Sequence, residues 1–160
     1  MIFATVGHKE FERLTKALDG IAKNSDEEFI LQLGYRAKYL PQNASYFDFV
    51  GRLEIEDYFE RASLLISHCT VSSILYAETY GKPLISVPRL SRFGEAIDDH
   101  QLDFAREIQK DGIVDGLFIV QDISELEQTI RQARDTKVTY EPSGGRRALI
   151  EGIRQFINGI

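Results

Sequence analysis

At 160 residues the chain suits one compact domain with a core of its own. It is 43% hydrophobic and 28% charged with a formal net charge of −6, which argues against nucleic acid as a partner, and its single cysteine excludes an intrachain disulfide and fits a reducing compartment. The opening MIFATVGHKEF has no charged leader followed by a long apolar stretch, and no run approaches the roughly 18 apolar residues that span a bilayer, so a cytosolic domain is expected.

In chain order, strands and helices alternate. Ile2–Val6 reads as a short apolar strand ending at Gly7, and Phe11, Leu14, Leu18 and Ile21 then recur at helical spacing. Phe29–Leu33 is the second strand and Tyr46–Val50 the third, each closed by a glycine, Gly34 and Gly51. A short acidic helix is predicted over Glu54–Ala62, a fourth strand over Leu64–Ser67 and a helix over Ser72–Tyr80. Leu84–Val87 is the fifth strand. Asp98–Lys110 is helical, with Leu102, Ala105 and Ile108 on one face, and Leu117–Val120 is the sixth strand. Ser124–Arg134 is a helix in which Ser124 and Glu127 form a capping box. A polar connector, Asp135–Gly145, leads to a last helix carrying Leu149, Ile150, Ile153, Phe156 and Ile157. This alternation implies an α/β fold: a Rossmann-like parallel sheet of about six strands with helices on both faces. Residues 1–134 form the Rossmann-like domain, and 135–160 are the connector and closing helix of the same domain.

In such sheets ligands bind beyond the carboxyl ends of the strands. There the sequence places Gly7-His8, Gly34-Tyr35, Gly51-Arg52, His68-Cys69 and Arg89. The first strand is followed by GHKEFE and not by GxGxxG, so NAD and FAD are poor candidates, and no P-loop is present. No Asp-x-Asp pair offers a platform for a metal-bound diphosphate, and three scattered histidines with one cysteine do not make a zinc site. No cofactor or metal is expected.

Three segments, TVGHKEFERL, ISHCTVSSILYAETYGKPLISVPR and GEAIDDHQLDFA, together resemble the C-terminal, donor-binding half of the GT-B fold, glycosyltransferase family 28. The resemblance runs in order and spacing from Met1 to Val120 and is most specific over Ser67–Gln101. It is greatest to single-domain members, the PssE-type catalytic subunits of two-part UDP-sugar transferases. It implies a UDP-sugar donor and a membrane-anchored partner subunit that holds the acceptor, with this chain cytoplasmic and peripheral at the inner membrane face. Self-association of the isolated chain stays open.

Sugar transfer leaves a diphosphate on which negative charge grows, and a helix N-terminus can stabilise it through its free amides and macrodipole. The helix after the fourth strand is placed for that, which makes His68, Thr70, Ser72 and Ser73 the candidate phosphate contacts. A histidine titrating near pH 6.5 would suit such a contact. Where this chain reads His68-Cys69-Thr70-Val71-Ser72-Ser73, the resembled family usually reads His-Ala-Gly-x-Gly-Thr, so both glycines are replaced. The acid that commonly holds the ribose in that family falls, by spacing, at Tyr76. Gly7, His8 and Tyr76 are the nucleoside-side candidates, Tyr76 reading also as a packing residue. The segment Gly94–Gln101 resembles the loop that contacts sugar hydroxyls, which implies Asp99 and Gln101 with Glu95 and His100 nearby. Asp98 and Gln101 equally fit a helix-capping pair. Cys69 reads as a small core residue, Arg89 and Arg92 as positive charge at the ligand edge that suits phosphate geometry or, equally, as surface arginines with no role, and Asp26–Glu28 as a solvated edge.

The expected function is therefore a glycosyltransferase subunit that passes a sugar, with inversion, to a lipid-linked acceptor in polysaccharide or glycolipid assembly. No general base stands out in the sequence. The rival expectation is a scaffold or nucleotide-sugar-binding protein of the same fold whose donor site has lost catalysis.

Overall fold

The computed structural model describes residues 1–111 and 115–138; the predicted closing helix over 149–157 lies outside them. Six strands form one all-parallel sheet: β1 (Ile2–Thr5), β2 (Phe29–Gln32), β3 (Ser45–Phe47), β4 (Leu64–His68), β5 (Leu84–Val87) and β6 (Leu117–Ile119). Their order is β3-β2-β1-β4-β5-β6. Among the described residues four α-helices lie between strands, α1 (Glu12–Ala22), α2 (Arg52–Arg61), α3 (Val71–Tyr80) and α4 (His100–Asp111), and α5 (Leu126–Arg134) follows β6.

The central strands are continuous apolar runs because both faces of the sheet are covered. Side chains alternate across it. Ile2, Ala4, Leu64 and Ile66 point to one face, where they pack with Leu14 and Leu18 of α1 and Ile130 of α5. Phe3 and Leu65 point to the other, against Phe59 of α2, Ile74 of α3 and Ala105 of α4. The strand order reverses between β1 and β4, which pair in register from Ile2–Leu64 to Thr5–Ser67. Beyond that pair the connections diverge to opposite sides and leave a crevice.

Differences from expectation sit at element ends. β3 stops at Phe47 and not Val50; Ser45 and Tyr46 on this edge strand are exposed, so little burial drives a longer one. α4 begins at His100, two residues late, since the carboxylate of Asp98 accepts the His100 amide and sets the start there. The Ser124–Glu127 box is not formed. A 3-10 turn at Ile123–Glu125 comes first, and Asp122 Oδ1 accepts both the amide (3.0 Å) and the hydroxyl (2.8 Å) of Ser124. Glu27, in the stretch read as a solvated edge, pairs with the N-terminal amine at 3.6 Å and with Arg134 at 2.5 Å.

Candidate functional site

The crevice is framed by the turn after β1 and the turn after β4. Gln32, only 2% exposed at the end of β2, holds the first. Its Oε1 accepts from Thr5 Oγ1 (2.7 Å) and from the Val6 and Gly7 amides (3.2 Å each). Its Nε2 donates to the carbonyls of Gly7 (3.0 Å) and Asp48 (2.8 Å). Gly7 is at φ +71°, and a Cβ there would lie 2.9 Å from His68 Cε1. The backbone of the β1 turn thus lies directly on the His68 ring, which a side chain would forbid.

The second turn is tied by hydroxyls. Thr70 caps α3, its Oγ1 accepting the Ser73 amide at 3.4 Å. Ser73 Oγ lies 2.8 Å from Ser67 Oγ and 2.9 Å from Thr70 Oγ1, and it donates to the His68 carbonyl at 3.2 Å. Ser67 Oγ donates to Thr5 O at 2.9 Å, which joins the two turns. Thr70 adopts φ −143° and ψ 154°, ordinary extended backbone, and Ser72 is a helical residue with its side chain exposed. The turn therefore demands no positive φ, and the missing glycines leave it unstrained. The first-turn amides of Val71 and Ser72 have no partner within the helix. The start of α3, through Thr70, Ser72 and Ser73, borders a cavity of about 420 Å³ whose wall also includes Gly7, His8, His68 and Tyr76.

A second cavity of about 410 Å³ shares His8 and His68 with the first and continues to Arg89, Asp98, His100 and Gln101. Arg89 is not surface charge: it is 4% exposed. Its guanidinium donates to the carbonyls of Glu10 (2.7 Å), Val6 (3.0 Å) and Lys9 (2.6 Å) and lies 4.5 Å over the Phe11 ring. Burial lowers its pKa, but a guanidinium stays charged. His68 is likewise altered. Burial first, then the nearby Arg89 charge, brings its pKa down to about 4, so at neutral pH the ring is uncharged and does not titrate near 6.5. Burial drives the thiol of Cys69, 1% exposed, up to about 11, as suits a core residue.

The predicted sugar contacts divide. Gln101 is 6% exposed, and its Oε1 accepts the Arg89 amide at 3.0 Å instead of capping with Asp98. Asp98 is instead hydrogen-bonded to the His100 ring, which lowers its carboxyl pKa. Glu95 is bound by Arg13 through Nε at 2.8 Å and by the Leu90 amide at 3.0 Å. Asp99 accepts the Ser91 amide at 2.8 Å, and hydrogen bonds from Ser91 lower its pKa. Tyr76 stacks flat on Phe59, 4.6 Å between centroids and 5° between planes. His8 lies 5.4 Å from the Phe49 ring.

The sequence reading missed Gln32, Arg13 and Asp19. Gln32 had a signal, a lone polar residue in the strand FILQ. Asp19 is 3% exposed on the buried face of α1 and accepts Tyr39 Oη (2.6 Å) and the amides of Gln42 (2.9 Å) and Asn43 (2.6 Å). Burial raises its pKa, and the hydrogen bonds from Tyr39, Asn43 and Gln42 outweigh that to leave it lowered. Among the described residues no helix is long and apolar enough to cross a membrane, and no group of three His, Cys, Asp or Glu is placed to hold a metal ion.

Residues 1–147 match the glycosyltransferase family 28 C-terminal domain. The chain belongs to that family. Solved structures share the fold of this family 28 domain at low identity. The glycotransferase of kitacinnamycin superposes with a TM-score of 0.63 at 17% identity, covering 99% of this chain and 42% of that one. MurG of Acinetobacter baumannii gives 0.58 at 16%, covering 96% and 49%. Os79 from O. sativa, solved in complex with UDP, gives 0.58 at 18%, covering 96% and 36%. The family 28 domain thus spans less than half the length of each of these glycosyltransferases. No curated protein matches it in sequence.

Proposed function

We propose that this family 28 domain is the donor-binding half of a glycosyltransferase that takes a UDP-sugar. One observation carries the reading: the first turn of α3 borders the cavity walled by Gly7, His8 and His68, at the point where strand order reverses. The diphosphate sits on the amides of that turn with the Ser72 hydroxyl beside it, and the helix dipole favours the charge that develops as the sugar leaves. His68, neutral at pH 7, can donate one ring N–H there. The sugar extends into the second cavity, where His100 and Gln101 border it. Glu95 and Asp99 then act by shaping that loop, because their carboxylates are already engaged.

The acceptor half is assigned to a membrane-anchored partner subunit, as in PssE-type two-part enzymes, with the sugar passed with inversion to a lipid-linked acceptor in polysaccharide or glycolipid assembly. The partner supplies the general base and holds this chain at the cytoplasmic membrane face. Residues 135–160 belong to the same domain. One observation favours the rival scaffold reading: Ser67 and Ser73 already donate their hydroxyls to the Thr5 and His68 carbonyls, and Thr70 Oγ1 is engaged by Ser73.

Thermal unfolding with UDP, UDP-GlcNAc, UDP-glucuronate and UDP-galactose, against ADP, tests the proposal. A bound nucleotide at 100 times its dissociation constant adds about 2.7 kcal/mol of stability. Stabilisation by uridine nucleotides alone is expected. No shift with any of them refutes donor binding and leaves the scaffold.

A further inference from the structure

We propose that the donor site binds its diphosphate together with one proton, which His68 takes up on Nε2. The inference rests on the donor-binding reading above. A neutral imidazole has one N–H and one bare nitrogen. Nδ1 of His68 lies 3.3 Å from Ser67 Oγ, and Ser67 gives its only hydroxyl proton to the Thr5 carbonyl at 2.9 Å. Ser67 Oγ therefore meets the ring as an acceptor, and the neutral ring carries its N–H on Nδ1. Nε2 is left with a lone pair. Among the described residues Nε2 has no hydrogen-bond partner, and Ser86 Oγ is the sole side-chain polar atom that is buried without one, so Nε2 is open to the crevice the ring borders.

A lone pair repels an anion. His68 and the start of α3 wall the same cavity, and among the described residues of its lining none carries a carboxylate. A diphosphate drawn to the helix start thus comes beside Nε2. Moving the single N–H to Nε2 would leave Nδ1 facing an oxygen lone pair, or take the Ser67 proton from Thr5. A second proton serves both sides: Nδ1–H stays on Ser67, and Nε2–H makes a charge-assisted bond to the ligand. The surroundings keep that proton off until the ligand arrives. Burial first, then the Arg89 charge, brings the ring pKa down to about 4, against a hydrogen bond to the Thr5 backbone that raises it. The other charged or titratable side chains on the two cavities are His8, Lys9, Tyr76, Glu95, Asp98 and His100. Glu95 is bound by Arg13 and Asp98 by His100, and neither carboxylate bonds the His68 ring.

A UDP-sugar is a diphosphate diester with no proton of its own to exchange near neutral pH, so proton uptake on binding reports the protein. Titration calorimetry of the full chain with UDP-GlcNAc, UDP-glucuronate and UDP-galactose, each in buffers of different ionisation enthalpy, measures that uptake. A ligand that restores the ring from about 4 to its ordinary pKa of 6.5 gives uptake of about 0.9 proton at pH 5.5 and almost none at pH 8, and affinity rises about eightfold from pH 7 to 5.5. In His68→Gln, whose amide donates without titrating, both the uptake and the pH dependence disappear. Uptake that persists in this variant overturns the assignment to His68. Binding without uptake at pH 5.5 in the parent overturns the inference and leaves donor binding intact, and binding of none of the three removes both readings. Ring-nitrogen NMR of the parent decides even if the variant fails to fold: His68 shows the Nδ1–H tautomer alone and the imidazolium with bound UDP-sugar at pH 5.5, and a ring that stays neutral in the complex overturns the inference.

Discussion

Replacing Gln32 with leucine keeps the volume at the end of β2 and removes every polar contact the side chain makes. Five hydrogen bonds disappear. They do not count equally. The Val6 amide keeps its ladder bond to the Gln32 carbonyl at 3.3 Å, and the Thr5 hydroxyl is only part-buried. The Gly7 amide and the Gly7 and Asp48 carbonyls lose the partner that held them. A buried polar group left unpaired costs about 1–3 kcal/mol. Gly7 is half-buried, so water relieves part of this, and the low end applies. The expected loss is about 3 kcal/mol, or roughly 10 °C in melting temperature for a chain of this size. Urea denaturation of Gln32→Leu against the parent measures it. A second consequence separates this clamp from ordinary packing. Loosening the Gly7 turn frees the His68 ring it lies against, so the stabilisation by UDP should shrink in the variant. A variant within about 0.5 kcal/mol of the parent, with its UDP response intact, refutes the argument.

Three further outcomes follow from the same structure. Gly7→Ala forces an alanine to φ +71°, worth about 1–2 kcal/mol, and drives its Cβ to 2.9 Å from the His68 ring; loss of about 2 kcal/mol in urea titration, together with loss of UDP binding, is expected. Asp19→Ala strands the amides of Gln42 and Asn43, so about 2–3 kcal/mol is lost and those two amides exchange hydrogen faster by NMR; Asp19→Asn, which keeps one oxygen, falls between. His68 makes stability pH-dependent: its folded pKa of about 4 lies below the unfolded 6.5, so the unfolded chain takes up the proton first on acidification. Stability is intact above pH 6.5 and falls as pH drops toward 4, by about 3 kcal/mol in all, and His68→Asn should flatten that slope between pH 7 and 5.

The element order was legible because the buried strands are unbroken apolar runs and the helices show helical spacing. Legibility failed where local patterns compete. Asp122 and Ser124 are both good caps two residues apart, and only the 3-10 turn decides between them. β3 lies at the sheet edge with two of its three residues exposed, so its sequence carries little pattern. The site was half legible. Strand ends and the start of α3 follow from element order, which put His68, Thr70 and Ser72 at the rim. The bonds that shape the rim do not, because they join distant positions: Arg89 to Val6 across 83 residues, Arg13 to Glu95 across 82. Arg89 looked like surface charge because nothing near it in sequence says that three carbonyls await it.

That buried arginine bears on how a protein of net charge −6 would hold the nucleotide diphosphate proposed for this crevice. Surface carboxylates face water and are screened within about 8 Å at physiological salt, whereas a buried charge is screened much less. Among the described residues, no carboxylate bonds the Arg89 guanidinium: Glu95 is hydrogen-bonded to Arg13 and, like Glu10, acts on Arg89 only through space, while carbonyl oxygens satisfy its N–H groups. Its field is felt at His68, where it helps keep the ring neutral. The same field, added to the dipole of α3, makes the crevice favourable to an anion. A permanently protonated histidine would bring more attraction at the cost of a second buried cation beside the first. Holding His68 neutral avoids that cost in the empty domain, and an arriving diphosphate offsets the repulsion between the two groups. The charge of Arg89 and the neutrality of His68 are thus one arrangement, in which the positive charge needed at the rim is stored one layer beneath it.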